Sequence, residues 1–268
     1  MRRSLLALVM AATLILAACG DSGEAGETGT GGASATGPDG AELIVSAAAS
    51  LTDAFGDIGA AFESENEGVT VTFNFGPSDG LATQINDGAP VDVFASASPT
   101  WMDSVQDEGP GVSDRADFAK NRLAIIVPAD NPGEIEDIND LAEDDVQIVI
   151  AAEGVPAGDY ARQIFDNAGI TDEAMANVVS NAEDVRAVVT AVASGEADAG
   201  IVYVTDVTDD VADQVTLIEI PDEVNVIATY PIAVVTGSEQ GDTAQAFVEY
   251  VLGPGQQTLA DYGFLPAT

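Results

Sequence analysis

The hydrophobic positions of this chain fall into short apolar runs separated by segments of helical period. Leu43, Ile44 and Val45, followed by small residues to Ala49, read as a buried strand. That strand runs into a helix on which Leu51, Ala54, Phe55, Ile58 and Phe62 recur at helical spacing. Ser50 with Asp53 three residues on fits a capping pattern and sets the first helical turn at Ser50. The alternation continues: residues 69–75, 91–95, 122–128, 146–151, 178–180, 199–204, 215–219 and 226–235 are strand-like. Residues 81–87, 100–108, 158–168, 183–194, 243–252 and 256–262 are helical. In the fourth of these, Val185, Val188, Val189 and Val192 share one face. Strands alternating with helices of this length predict an α/β fold with largely parallel sheets. At 268 residues and 46% hydrophobic, the chain can bury one core or two smaller ones.

The first forty residues follow another pattern. Arg2 and Arg3, an apolar run over residues 4–16, and Leu16-Ala17-Ala18-Cys19 form a basic, apolar and small-residue series. Residues 1–18 therefore read as a secretory signal, too short and wrongly flanked to persist as a spanning helix. Cys19 is the only cysteine, and it stands where a bacterial lipoprotein signal is cut and lipidated. The tetrad resembles a lipobox; an ordinary signal with an incidental cysteine is the alternative. Residues 20–41 hold no large apolar side chain. With Cys19 they form a flexible tether, residues 19–41, of roughly 25 Å mean span.

Inventory excludes whole classes of chemistry. Histidine is absent and Cys19 is spoken for, so thiol catalysis, Ser-His-Asp triads, zinc sites and imidazole bases are ruled out. No cofactor and no enzyme activity are expected. The formal charge is −39 with seven basic residues and 46 acids; loss of residues 1–18 removes two of the basic ones and leaves −41. Nucleic acid is thereby an unsuitable partner. The acids are spread along the chain, and the runs over 134–145 and 206–213 read as solvated faces that match no calcium loop.

A strand that feeds a helix N-terminus presents free backbone N–H groups and the positive end of a helix dipole, which suits an anion. The turn at Ser50 is one such place. Phe75-Gly76-Pro77-Ser78-Asp79-Gly80-Leu81, Val155-Pro156-Ala157-Gly158 and Asn181-Ala182-Glu183-Asp184-Val185 are three more, the last with Asn181 as cap. Pro156 suits a first helical turn because its missing N–H would have no partner there. Each turn is equally readable as a structural cap. Tyr203 ends an apolar strand and reads, on pattern alone, as a half-buried core tyrosine. Asp92 reads as a structural hydrogen-bond partner near the cleft, Arg186 as a surface or interlobe ion pair, and Trp101 as core.

The ordered set of Ala47-Ala48-Ala49-Ser50-Leu51-Thr52-Asp53-Ala54-Phe55, the turn at residues 75–84, Gly88 to Ala97, Trp101-Met102-Asp103, Val155 to Ala161, Ala182 to Arg186, Ala199 to Tyr203 and Tyr262-Gly263-Phe264 resembles the substrate-binding protein of the molybdate ABC uptake system. The resemblance extends over nearly all of residues 42–264. It implies a two-lobed type II periplasmic-binding-protein fold, each lobe a mostly parallel sheet flanked by helices, with the ligand cleft between them. The first lobe would take residues 42–120, the second 121–229, and the return segment 230–268 would rejoin the first. It also implies an oxyanion, molybdate or tungstate, held by neutral donors with no direct metal-cation ligand. Ser50 and Ser78 would give N–H and hydroxyl groups, Ala157 and Val185 backbone N–H, and Tyr203 its phenol. The protein would be a lipid-anchored monomer on the outer side of the cell membrane that delivers to an ABC permease. A relative that binds sulfate or another tetrahedral oxyanion is the alternative. Asp79 departs from the family's small hydroxyl residues, and it would repel a dianion unless turned to solvent.

Overall fold

The computed structural model describes residues 40–268; the expected signal segment, Cys19 and the tether before Gly40 lie outside the described residues. Strand β1 (Glu42–Ala48) pairs in parallel with β2 (Thr70–Gly76) and β3 (Val93–Ala95). Strand β4 (Val112–Pro128) is the longest and lies antiparallel to β9 (Ile227–Val235), which is itself antiparallel to β3. A second set repeats this plan. Strand β5 (Ile148–Ala151) lies parallel between β6 (Val178–Ala182) and β7 (Ala199–Tyr203). Strand β4 is antiparallel to β7, and β8 (Val215–Glu219) is antiparallel to β4. Each set thus runs second, first, third, a strand borrowed from elsewhere, then fourth. The short β10 (Leu265–Pro266) pairs with β4.

Strand β4 serves both sets. Its residues 112–122 pair with β9, and residues 123–128 with β7 and β8. The hydrophobic pattern predicts only the second part, Leu123 onward, which is wholly buried. The first part carries Asp114, Arg115 and Asp117 on its exposed positions and two register shifts, so no period of two survives there.

Helices cover both faces. On the first set, α1 (Thr52–Glu65) and α7 (Gly241–Leu252) press Phe55, Phe62 and Phe247 together, Phe62 meeting Phe247 edge-on at 5.3 Å. On the opposite face, α2 (Ser78–Asn86) and α3 (Pro99–Glu108) bury Leu81, Ile85, Met102 and Val105 with Phe94. The second set is covered by α4 (Pro156–Ala168) and α6 (Val185–Ala193), whose expected valine face is buried. The helix α5 (Thr171–Ala176), the 3₁₀ turn Ile138–Ala142 and the terminal helix α8 (Gly255–Asp261) complete the order; the first two are too short to show a hydrophobic period.

Two capping expectations are corrected. Ser50 is not an N-cap: it lies inside a 3₁₀ turn, Ala49–Leu51, and α1 starts at Thr52 behind Leu51 with no side-chain cap. Asp53 pairs with Arg186 instead of closing a capping box. Likewise the cap of α6 is Asp184, which accepts the N–H of Ala187 at 2.9 Å, whereas Asn181 accepts from Arg162.

Candidate functional site

In α/β sheets, ligands bind beyond the carboxyl ends of the parallel strands. Here the segments following β1, β2, β3, β5 and β6, and the last residue of β7, border one small enclosed space. Ser50, Ser78, Ala97, Ala157, Val185 and Tyr203 line it in that order of strands. About 220 Å³ there is free of protein atoms. The five residues proposed from sequence are thus brought together, from positions up to 153 apart in the chain.

Each helix start is shaped by its local sequence. The 3₁₀ turn at Ser50 and helices α2 and α4 begin without a side-chain cap, so no side chain of their own occupies the first N–H groups. Pro156 occupies the first position of α4 as expected. Gly158 follows because a Cβ there would overlap the carbonyl oxygens of Ala151 and Ala152; only glycine lets α4 start this close to β5. Ser78 is 1% exposed, and its Oγ accepts the N–H of Ala97 at 3.0 Å.

Behind this rim lies a buried polar layer. The Oγ of Ser50 and the hydroxyl of Tyr230 are 3.0 Å apart. Tyr230 meets Tyr203 edge-on, ring centroids 5.8 Å apart. The hydroxyl of Tyr203 is buried and has no hydrogen-bond partner. Burial raises the Tyr203 phenol well above its ordinary value, so it stays protonated and able to donate. Asp206, in the 3₁₀ turn Val204–Asp206, accepts the backbone N–H of Tyr203 at 2.9 Å, which fixes where β7 ends. Its Oδ1 is buried without a partner, and burial pushes its carboxyl up to about 7. The reading of residues 206–213 as a solvated face is therefore wrong at its first residue.

Several contacts join the elements of the first sheet to those of the second. Arg186 on α6 pairs with Asp53 on α1, which agrees with its reading as an ion pair. The hydroxyl of Tyr160 on α4 donates to the carbonyl of Ala97 at 3.4 Å. Trp101 is half-buried rather than core: its Nε1 donates to the carbonyl of Gly154 at 2.7 Å. Asp79 does not turn fully to solvent, since its Oδ1 is buried beside that same loop, but it does not line the enclosed space. Asp92 is structural, accepting from Ile44 N–H at 2.7 Å and from Ser238; it precedes β3 and so lies at the strand end away from the site. Sequence reasoning missed Asn121, Asp206 and Tyr230. Nothing in an apolar strand marks which tyrosine will face a serine 180 positions earlier.

Neutral donors gathered at the strand ends of two similarly ordered sheets define a solute-binding protein of the two-lobed type II periplasmic-binding-protein fold. The chain belongs to the bacterial extracellular solute-binding protein family, whose sequence profile matches residues 43–265. It is 39% identical over 252 residues to the molybdate-binding protein ModA of Mycobacterium tuberculosis, covering 93% of this chain and 92% of that one. The molybdate-binding protein ModA of Escherichia coli is 34% identical over 234 residues, with 84% and 90% covered. The periplasmic molybdate-binding protein of Azotobacter vinelandii superposes with a TM-score of 0.74 at 22% identity, over 83% of this chain and 98% of that one, a likeness of fold. The family is one of extracellular binding proteins, not of enzymes. Among the described residues, no helix is long and apolar enough to cross a membrane.

Proposed function

We propose that this protein captures molybdate, and tungstate with it, outside the cytoplasm and delivers it to an ABC permease. The observation that carries the reading is the partnerless buried hydroxyl of Tyr203 at a rim otherwise made of backbone N–H groups and two serines. A buried donor without an acceptor is costly, and an oxyanion supplies the acceptor. In this reading Ser50 and Ser78 give hydroxyl and N–H donors, Ala157 and Val185 give N–H, and Tyr203 closes the shell. Hydrogen bonds to a charged group contribute roughly 1.5–3 kcal/mol each, so about six of them offset desolvation and association entropy. The negative charge of the protein opposes approach, but it is screened over about 8 Å at physiological salt.

Residues 42–120 with 230–268, and residues 121–229, form the two lobes in this reading, and closure of the cleft is the state the permease recognises. Lipid on Cys19 and the tether to residue 41 hold a monomer at the cell membrane. Calorimetry of the protein against molybdate, tungstate, sulfate and phosphate tests the proposal. Molybdate and tungstate are expected to bind with micromolar or tighter Kd. Heat with sulfate alone would replace the ligand and keep the class; no heat with any of the four would overturn the reading.

A further inference from the structure

The two serines of the rim share a relationship to the protein behind them. Ser78 accepts a hydrogen bond from the N–H of Ala97, which has no way to act except as a donor. The hydroxyl proton of Ser78 is therefore turned away from Ala97. Ser50 faces a hydroxyl instead, that of Tyr230, and either oxygen of that pair is able to donate.

The surroundings of Tyr230 decide the direction. Its side chain is fully buried. Among the described residues, Ser50 Oγ is the one acceptor within hydrogen-bond distance of its hydroxyl. The nearby Asn121 directs its amide N–H₂ to Thr205 Oγ1 at 2.8 Å and its carbonyl to the N–H of Arg122 at 2.9 Å. Were Ser50 to donate, the Tyr230 proton would be left buried and unpaired. Burial also raises the Tyr230 phenol above its ordinary value, so the proton is not lost.

We infer that Tyr230 is a positioning and specificity-determining residue: by donating to Ser50 Oγ it commits the Ser50 hydroxyl to donate into the anion site. The inference rests on the oxyanion reading above. Its consequence is discrimination by protonation. A fully ionised tetrahedral oxyanion accepts from Ser50, whereas hydrogen phosphate presents a proton to a hydroxyl whose lone pair is already engaged. Tyr230 reaches Ser50 from β9 while its ring lies against Tyr203 at the end of β7, so one side chain supports donors from both sheets.

Tyr230→Phe removes one oxygen and keeps the ring packed against Phe118, Tyr203 and Phe264. Calorimetry of this variant against molybdate and hydrogen phosphate is expected to show molybdate weakened about tenfold. The ratio of phosphate to molybdate Kd should narrow by at least as much, because Ser50 is then free to accept. A merely structural loss would weaken both ligands together and leave the ratio unchanged, which overturns the inference. Site-specific 3-fluorotyrosine at position 230 keeps ring and hydroxyl while strengthening the donor, and it applies even where the phenylalanine variant is unstable. The ratio should widen; a narrower or unchanged ratio overturns the inference. Failure of the unsubstituted protein to bind molybdate overturns the oxyanion reading itself, and this one with it.

Discussion

The indole N–H of Trp101 donates to the carbonyl of Gly154 at 2.7 Å, tying α3 of the first sheet to the loop that leads into α4 of the second. Gly154 holds a φ of +90° there, a conformation a side chain would strain, and its own N–H is fixed by Asp159 at 2.9 Å. Trp101 is the only tryptophan of the chain. Its emission is therefore an internal reporter of whether the two sheets are drawn together. Molybdate is expected to change the emission maximum in proportion to sites filled. Calorimetric binding without any emission change would contradict this.

Tyr203→Phe separates binding from stability. The hydroxyl has no partner in the protein, so its removal should leave thermal stability equal or slightly raised. Molybdate affinity, measured by calorimetry, should fall roughly 10- to 100-fold for the lost charged hydrogen bond. A variant that loses stability but keeps affinity would assign Tyr203 to the core.

Asp206 should imprint a pH dependence on stability. Its folded carboxyl titrates at about 7 against a usual 3.8, chiefly because of burial; the Tyr203 N–H and Arg186 lower it, and Asp184 and Asp53 raise it. Between these values the folded state keeps a proton that the unfolded state has released. The contribution of Asp206 therefore falls as pH rises through this window and levels above it. Asp206→Asn keeps an acceptor for Tyr203 and removes the titration. Denaturant unfolding should show the variant gaining on the parent by a few kcal/mol, order of magnitude, from about pH 4 to about pH 8. A gap that shrinks with pH would contradict the burial argument.

Two glycine-to-alanine changes should have opposite signs. At Gly158 the added carbon overlaps the carbonyl oxygens of Ala151 and Ala152, so α4 must move off β5. A loss of about 1–3 kcal/mol is expected, with weaker molybdate binding because the Ala157 N–H moves as well. At Gly56, inside α1, no atom lies within 4 Å of the new carbon, and the helix should gain up to about 1 kcal/mol. Thermal unfolding of both variants with calorimetry checks the pair.

The protein's charge of −39 should slow the arrival of a dianion. Added salt is therefore expected to raise the association rate in stopped-flow fluorescence, as screening shortens the reach of that field. A rate that falls with salt would point to a local cationic funnel.

Much of this architecture was legible in the sequence because buried parallel strands are apolar on both faces. Runs such as Ile148–Ala151 and Ala199–Tyr203 stand out against amphipathic helices. The rim was legible too, since helix starts without bulky side chains have a recognisable composition. What failed was partner choice. Ser50 and Asp53 have the spacing of a cap, yet tertiary partners 180 and 133 residues away take both side chains. Asp206 opens a string of acids and looks like surface, but the turn after β7 folds it under Tyr203. The first part of β4 escaped notice because bulges break the alternation that marks a strand.

The unbroken β4 has a mechanical consequence. Because one continuous backbone belongs to both sheets, the distance between them at that strand is set by covalent geometry and cannot lengthen. Relative movement is confined to twisting and bending about a fixed edge. A small misfit at the anion is therefore converted into an angle, magnified with distance from β4. An oxyanion slightly too small or too large would leave the outer lips of the protein measurably misaligned, so that ion size is expressed as the shape of a surface far from the ion.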